Sequence, residues 1–593
     1  MHKDDDDVVP PPEAPELPPL LPKRDAAPRV KPALHSRAAP SGNAPGKPPR
    51  KPGRPTKKPA KAVRGGKGSR LKGSASTVKR VLSAVGVLAC AAGMVTAASF
   101  VPSASGGRHI DAPLTAVPAG SKVEICPGPA RLLEGTPVGT DPQFSPESGT
   151  ANSQVDAAVL STSAGKVPES RLAALDGKTL TEVSKDAEGA LAQTGAAALA
   201  AGVVSQRDVD AVSVLSADAL NNQQATASAV MSYTATDGDL RGSAAAACQE
   251  PANDLWLVGA NTSVGRTAVL NLSNASSTPA TVSLDLYGKA GQIQAPGSRG
   301  LLVPPGSTRA IVLAGLAAEQ DRLGVHVRSV GGPVTAVIQQ SVLRGLTPGG
   351  VDFIAPGAPP SARQVVSGLS IQDPADIKSQ TSKSGYADAG PALQLAVPGP
   401  VDAVVEVKLF GRDGQKALPN GGVVTAKAGS VTEVSLAGVP AGQYTVSASS
   451  DVTFAAAARV TRGTASGGAS DVAWSPSSAR LGSEHVVPVP RTGERILVFG
   501  APEDRAKITY TPITEDGKIR KAGTADIAGG TTASIKVPDK VDGAAVLGYV
   551  ISASGDPAYG AVLLGQDEGT DVSVVAFAPG AAGQEEVPVT LGY

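Results

Sequence analysis

Hydrophobic and polar residues alternate along much of the chain beyond residue 119. Val282, Leu284 and Leu286 are separated by single polar residues, and the same period of two recurs after residues 403 and 506. This period predicts half-buried β-strands, because successive side chains of a strand point to opposite faces of its sheet. Asp-Gly pairs at 413–414 and 516–517 follow such stretches and favour tight hairpins. The pattern therefore predicts a series of antiparallel hairpins.

These hairpins belong to an internal repeat. Three stretches, 280–338, 403–457 and 506–560, agree in the order and spacing of their apolar strands and Gly-containing turns. The segment 229–248 has the same strand-then-turn form and is a candidate degenerate fourth copy. A recurring block of this kind predicts that each copy folds as one structural unit beside similar neighbours.

The size of the repeat favours one fold class. Each copy holds about six or seven short strands in roughly 85 to 120 residues, which suits an immunoglobulin-like sandwich of two antiparallel sheets. Propeller-like β repeats are the alternative, although a propeller blade is usually about half this length. We expect an all-β region of tandem sandwich domains at 119–258, 259–360, 361–480 and 481–593, the last with a C-terminal strand.

One stretch, residues 81–101, carries no charge and is long enough to cross a membrane. As a helix its 21 residues extend about 31 Å, close to the hydrocarbon thickness of a bilayer. Lys79 and Arg80 precede it, and positive flanking charge stays cytoplasmic. We expect a single-pass protein of the cell membrane with a cytoplasmic N-terminus and an extracellular C-terminal region. A cleaved signal peptide and a lipoprotein modified at Cys90 are the alternatives.

Composition divides the chain at this segment. Residues 1–80 contain 16 Pro and 19 Lys and Arg against 7 Asp and Glu, a net charge of +12, so the remaining 513 residues carry −11. Such a segment buries too little apolar surface to fold, which predicts a disordered basic tail, and 102–118 is interpreted as a linker. The tail is expected to attract anionic lipid headgroups. The Gly-Arg-Pro sequence at 53–55 is too short to favour nucleic acid as a partner.

The cysteines agree with this topology. Cys90 lies in the apolar segment, and Cys126 and Cys248 are the two cysteines of the predicted exterior. An even pair outside the membrane indicates one disulfide, which would join the start and end of the first β domain. Two buried free thiols are the alternative.

A short apolar strand with an acidic first residue recurs at the predicted domain joints. It begins at Asp254, Asp352 and Asp471, and two of the three contain a tryptophan, Trp256 and Trp474. We interpret these strands as edge strands and linkers that set the angle between neighbouring domains. The alternative is an aromatic contact site formed by the two tryptophans.

The predicted exterior offers little catalytic chemistry. Its histidines are His109, His326 and His485, and no two of them have metal-ligand spacing. Nucleotide-binding loops, EF-hand loops and zinc motifs are absent from the sequence. No catalytic residue, metal ligand or cofactor is predicted.

Several of these features together resemble a known family. They are the single membrane segment, the Cys-Pro-Gly-Pro sequence at 126–129, the stretch 248–259 with its tryptophan, and the strand 303–309. The chain resembles, over roughly residues 119 to 580, an uncharacterised domain-of-unknown-function family (5719) of membrane-anchored envelope proteins from high-GC Gram-positive bacteria. That family has no assigned activity, so the resemblance implies location and fold only.

These observations favour a non-enzymatic binding or scaffolding role in the cell envelope. The expected partner is a cell-envelope protein or glycan held by the tandem β domains. The alternative is an enzyme, or an enzyme accessory, that acts on cell-envelope glycan with a site between domains.

Overall fold

Antiparallel strands make up nearly all of the regular structure. The computed structural model describes residues 114–116, 119–136, 145–161, 165–183, 200–419, 421–565, 569–578 and 586–588. Within them every strand pairing is antiparallel and there is one α-helix, α1 (Pro374–Thr381), so the all-β prediction is confirmed. No helix of these described ranges is long and apolar enough to span a bilayer. The predicted tail 1–80, the apolar segment 81–101 and most of the linker 102–118 lie outside them.

After β1 (Leu114–Ala116), the strands form four successive modules, I to IV, with the same connectivity. Each module has strand positions A to H in two sheets, one in the order A-F-C-D and the other in the order E-B-G-H. The two sheets share one apolar core. Each repeat therefore contributes two sheets, whereas a propeller blade contributes one.

Module I follows this plan with one strand at each position. Strands A to H are β2 (Lys122–Cys126), β3 (Asn152–Leu160), β4 (Ser170–Ala174), β5 (Thr179–Glu182), β6 (Ala201–Asp208), β7 (Ser213–Ala217), β8 (Ala227–Ala235) and β9 (Gly242–Ala247).

Module II has two short strands at position D. Its strands are β10 (Asp254–Ala260), β11 (Arg266–Asn274), β12 (Ala280–Gly288), β13 (Gly291–Ile293), β14 (Leu301–Val303), β15 (Ser307–Val312), β16 (Leu323–Gly331), β17 (Thr335–Arg344) and β18 (Thr347–Ile354), with a 3-10 helix at Leu313–Gly315. The alternation predicted for β12 is present, since Val282, Leu284 and Leu286 are all buried. The boundary placed between residues 258 and 259 lies inside β10, and the pairing of β10 with β16 assigns the whole strand to module II.

Module III joins positions F and G in one strand. Its strands are β19 (Ser361–Ile371), β20 (Ala392–Ala396), β21 (Ala403–Gly411), β22 (Gly414–Lys416), β23 (Val423–Ala426), β24 (Val431–Ser435), β25 (Gly442–Arg462) and β26 (Asp471–Pro476), with a 3-10 helix at Ala387–Ala389. The first part of β25 pairs with β19 and β21, and its second part pairs with β20 and β26. Helix α1 lies between β19 and β20 and begins after Asp373, whose Oδ1 accepts the Ala375 N–H at 2.7 Å.

Module IV completes the series and leads to a terminal strand pair. Its strands are β27 (His485–Pro488), β28 (Glu494–Ala501), β29 (Ala506–Thr514), β30 (Gly523–Ile527), β31 (Thr531–Lys536), β32 (Lys540–Val541), β33 (Ala544–Gly555), β34 (Tyr559–Gly565) and β35 (Val572–Ala576). The last strand, β36 (Glu586–Pro588), pairs with β1.

The degenerate fourth copy was placed on the wrong strands by the sequence pattern. The repeated hairpins of modules II to IV start at position C, on β12, β21 and β29. The equivalent hairpin of module I is β4–β5, whereas 229–248 contains the G–H hairpin β8–β9. Both hairpins turn at an Asp-Gly pair, 176–177 and 237–238, so an alternating strand followed by such a turn does not distinguish them.

The four H strands meet around one axis. Strand β9 contacts β18, β18 contacts β26, β26 contacts β35, and β35 contacts β9, so the modules form a closed ring. Apolar residues cross each joint: Phe353 of module II packs in the core of module I, Trp474 of module III in that of module II, Val574 of module IV in that of module III, and Ala245 of module I in that of module IV. The burial of apolar surface stabilises every joint.

Asp471 lies at one end of this axis and binds all four modules. Its carboxylate accepts backbone N–H groups of Ser243 at 2.9 Å, Val351 at 3.3 Å and Val572 at 3.1 Å, from modules I, II and IV, and of its own neighbour Val472 at 3.0 Å. The side chain is buried, and this burial raises the pKa of Asp471 well above its usual value.

Two glycines let the neighbouring strands approach this carboxylate. A Cβ at Gly242 would lie 2.6 Å from Asp471 Oδ1, and a Cβ at Gly350 would overlap the same oxygen. Their φ angles are +145° and +106°, so glycine is favoured there for the backbone conformation as well.

A second buried carboxylate joins modules II and III along the axis. Asp352 is completely buried, and its Oδ2 accepts the backbone N–H of Trp474 at 2.6 Å. Desolvation raises the pKa of Asp352 to about 8, against the opposing effect of the N–H groups of Trp474 and Phe353. The folded protein therefore keeps a proton on this carboxyl group at neutral pH.

We expect Gly350→Ala to destabilise the ring more than Gly345→Ala. Both glycines have a positive φ, but a Cβ at Gly345 meets no atom within 4 Å, whereas at Gly350 it would collide with Asp471. The collision should lower the free energy of unfolding by about 1 to 3 kcal/mol beyond the strain that both variants share. Denaturant unfolding of the full chain measures the difference, and equal losses would contradict this account of the axis.

We expect Asp352→Asn to remove part of the pH dependence of stability. The folded chain holds a proton that the unfolded chain releases above about pH 4, so the Asp352 contribution to the free energy of unfolding falls as pH rises towards 8. Asparagine does not titrate and still accepts the Trp474 N–H. The variant should thus gain stability relative to wild type between pH 5 and pH 8 in thermal unfolding.

The exposed Asp556→Asn is the matched control for the loss of a carboxylate. Parallel curves of stability against pH for wild type and Asp352→Asn would contradict the prediction.

Candidate functional site

The ring has a cavity at the end of its axis away from Asp471. This axial cavity has a volume of about 360 Å³ and lies where the four H strands end. All four modules line it, mainly through the ends of these strands and the segments after them: 245–250, 353 with 355–359, 474 with 476–479, and 574–578. It is the candidate site, because a concave, largely apolar pocket with a few polar groups is typical of ligand binding.

The walls of the axial cavity combine small and aromatic side chains. The alanines at 245–247 and the rings of Phe353, Trp474 and Phe577 line the same space. Trp474 is held against the backbone of Gly259, where a Cβ would lie 2.6 Å from its ring. The Arg459 guanidinium lies 5.7 Å from the Trp474 ring centroid. These contacts fix the indole as a rigid part of the wall.

Charged residues from module I line the same cavity. Lys122 and Glu124 lie on β2 and are 4% and 1% exposed, and Glu250 follows β9 with its side chain 55% exposed. The Lys122 Nζ lies 3.6 Å from Glu124 Oε1 and also forms an ion pair with Glu250. One ammonium group is thus shared by two carboxyl groups.

Glu124 is the buried one of the two carboxyl groups. Its Oε2 accepts the Ala229 N–H at 3.0 Å. Desolvation raises the pKa of Glu124 to about 7, although the Lys122 ammonium opposes this rise. The carboxyl group therefore exchanges its proton near neutral pH.

Three oxygen atoms of residues that line the cavity lack partners. Gln249 Oε1, Ser477 Oγ and Ser478 Oγ are buried and accept or donate no hydrogen bond among the described residues. Ser477 is only 3% exposed. Buried polar atoms without partners cost free energy, so a hydrogen-bond partner at any of these three oxygens would stabilise the wall of the cavity.

A disulfide supports this part of the cavity. Cys126 and Cys248 are bonded to each other in the structure, and Cys248 lines the cavity. Beside the bond, Gln249 N–H donates to Ile125 O at 3.0 Å and Ile125 N–H donates to Gln249 O at 2.8 Å. The segment that carries Gln249 and Glu250 is therefore held against β2.

The two tryptophans singled out in the sequence lie in different places. Trp474 lines the axial cavity and is 3% exposed. Trp256 is 7% exposed and lies within module II, stacked on His326 at 4.0 Å and on Tyr287 at 5.7 Å between ring centroids. Their role as a contact site stays a prediction.

Sequence reasoning missed Lys122, Glu124 and the two serines. Lys122 and Glu124 alternate with Val123 and Ile125, and such alternation ordinarily assigns the charged side chains to solvent. Contacts with β8 and with the segment after β9 bury them instead. Ser477 lies in a connector with no pattern of its own, so the sequence held no local signal for it.

A second, larger space lies between modules I and II. It measures about 790 Å³ and is lined by the segment 127–134 and by the outer face of β11, β15 and β17. Gln339 bridges the two modules there, with its Oε1 accepting from Arg131 N at 2.9 Å and its Nε2 donating to Arg131 O at 2.7 Å. This groove carries the charged residues Arg131, Glu134 and Asp176 and has fewer unpartnered polar groups than the axial cavity.

No cluster of three or more His, Cys, Asp and Glu side chains among the described residues is placed to hold a metal ion. His326 Nε2 lies 3.0 Å from Asp254 Oδ2, and its Nδ1 lies 3.6 Å from Asp285. These contacts bind β10, β12 and β16 to one another on one face of module II.

Comparison with known proteins gives one match. Residues 203–538 match a family of unknown function, DUF5719. No curated protein and no solved structure matches the chain. The matched region covers more than half of the 593 residues and confirms the resemblance seen in the sequence. The protein therefore belongs to the family of unknown function DUF5719.

Proposed function

We propose that the protein is a non-enzymatic binding protein of the cell envelope and that its partner binds at the axial cavity. The observation that carries this proposal is the contribution of all four modules to one cavity. A site built in this way requires the complete ring. It also presents its polar groups in fixed positions before the partner arrives.

The closed ring supports binding at a preformed surface. Each joint is apolar, and Asp471 and Asp352 add buried hydrogen bonds between modules. A site that needs no rearrangement loses less conformational entropy when it binds. The smaller loss of entropy favours a scaffold or receptor over a protein whose domains move during a reaction.

The modules are proposed to be immunoglobulin-like sandwiches. In that fold strand B pairs with strand E, and strand C pairs with strand F, in opposite sheets. Module II has both pairings, β11 with β15 and β12 with β16. Domains of this kind commonly serve as rigid binding modules, which agrees with the proposed role.

The partner is proposed to be a cell-envelope protein or glycan, because the topology inferred from the sequence places residues 102–593 outside the membrane. The segment 81–101 is the proposed anchor, and the basic tail is proposed to contact anionic headgroups on the cytoplasmic side.

An enzyme acting on envelope glycan is the second candidate, and one observation favours it. Glu124, with a pKa of about 7, and Glu250 both contact the Lys122 ammonium in a cavity between modules. Paired carboxyl groups with different environments can act as acid and base. Release of new reducing ends from envelope glycan by wild type, and its loss in Glu124→Gln, would support this candidate against a purely binding role.

We expect Ala358→Phe to abolish partner binding while Ala314→Phe leaves it intact. Ala358 is half-buried and lines the cavity, so a phenyl group there fills space that the partner needs. Ala314 is exposed on module II and does not line the cavity. Co-sedimentation of the full chain with purified cell-wall material, and cross-linking to membrane proteins, measure binding. Failure of wild type to bind either, or equal binding by both variants, would overturn the proposal.

We expect deletion of residues 81–101 to release the protein from membranes. These residues supply the uncharged apolar length that a bilayer span requires. Deletion of 21 residues from the tail, 26–46, is the control and should leave the protein in the membrane fraction. Retention of the first variant in membranes would contradict the anchor, and a mature N-terminus near residue 98 or 106 would replace the anchor with a cleaved signal.

A further inference from the structure

We propose that the axial cavity binds a primary amine carried on an apolar chain, with the ammonium group beside Glu250 and the apolar part against the aromatic wall. The proposal rests on the binding role argued above and adds the chemical class of the ligand. It follows from the polar atoms of the cavity, from their charge and from the volume available.

The unpartnered polar atoms are all oxygens. Gln249 Oε1 is an acceptor only, and the hydroxyl oxygens of Ser477 and Ser478 can each accept as well as donate. These oxygens have almost no accessible surface, so they would meet the N–H donors of a ligand only after their side chains turn towards the cavity. An ammonium group carries three such donors and no acceptor, which complements this set.

The charge at the cavity also favours a cation. Lys122 is the cationic residue among those that line the cavity, and it is already paired with two carboxyl groups. Glu250 is more than half exposed and keeps further lone pairs for a second donor. An anionic ligand would meet Glu250 with no unpaired cation to offset the repulsion, whereas an amine gains a charge-assisted hydrogen bond.

The structure already holds one ammonium group beside Glu250, that of Lys122. Lys122 Nζ lies between Glu124 and Glu250 although its side chain is 4% exposed. A buried ammonium needs such partners, because desolvation of an unpaired charge is costly. A ligand amine would extend this arrangement on the exposed side of Glu250.

The volume limits the apolar part of the ligand. A water molecule occupies about 30 Å³ in the liquid, so a cavity of 360 Å³ holds roughly a dozen groups of that size, each about one non-hydrogen atom with its hydrogens. A short amine with an aliphatic or aromatic body fits this space, and so does an amine side chain of the lysine type. The same chemistry is therefore available from a free amine or from a side chain of an envelope peptide.

The first test compares three probes that differ in their charged group. The full chain is titrated by calorimetry with 4-phenylbutylamine, 4-phenylbutanol and 4-phenylbutyrate at one pH and ionic strength. We expect the amine to bind at least tenfold more tightly than the alcohol, and the carboxylate to bind most weakly. Equal affinity for amine and carboxylate would overturn the proposal.

The second test removes the proposed partner of the ammonium group. Glu250→Gln should weaken amine binding about tenfold and leave alcohol binding unchanged. Glu182→Gln, at an exposed position on β5 away from the cavity, is the matched control and should change neither. Unchanged amine affinity in Glu250→Gln would overturn the assignment even where the protein remains folded.

Two further arms distinguish the source of the amine and separate this proposal from the function. Tighter binding of an end-blocked lysine tripeptide than of 4-phenylbutylamine identifies a peptide side chain as the source, and the reverse order identifies a free amine. If the amine binds but no envelope partner is captured, the ligand class stands and the proposed function fails. If a partner is captured through the cavity and amines do not compete, the function stands and the ligand class fails.

Discussion

The closed ring depends on the hydrogen bonds that one buried carboxylate accepts from all four modules. Asp471 lies where β9, β18, β26 and β35 converge, and it links four strands that share no ladder of backbone hydrogen bonds with one another. Side-chain packing alone holds such strands in approximate register. Hydrogen bonds from several fixed donors to one carboxyl group depend on direction, so they favour one rotation of each module about the axis. The geometry at the opposite end of the axis, where the cavity lies, follows from this selection.

The small residues on the axis are the second condition for the ring. Four sandwiches can bring one strand each to a common line only if those strands carry little bulk on the side that faces it. Strand β9 meets this condition with a run of alanines, and Gly350 gives β18 room beside Asp471. Towards the other end the larger side chains of Phe353, Trp474 and Phe577 line the cavity.

Much of this fold could be predicted from the sequence, because β-strands and hairpins are local. The alternation at Val282, Leu284 and Leu286 and the Asp-Gly turns identified the C strands of three modules. The three strands with acidic residues are edge strands, as expected, but they are not equivalent to one another. Asp254 begins an A strand, whereas Asp471 begins an H strand and Asp352 lies near the end of another H strand. The site could not be predicted, because its residues come from four modules and meet only when the ring closes. Lys122 and Glu124 had the pattern of a solvent-facing strand, and nothing local marks them as buried.

Trp474 links the wall of the axial cavity to the protonation state of Asp352. Asp352 accepts the backbone N–H of Trp474, and the indole of the same residue forms part of the wall. While Asp352 keeps its proton, no net charge is buried at that joint, and β26 can lie close to β18 at low cost. Ionisation would place a negative charge in a completely buried position, which is costly without a paired cation. The neutral form of Asp352 therefore stabilises the joint that carries Trp474, whose indole lines the cavity.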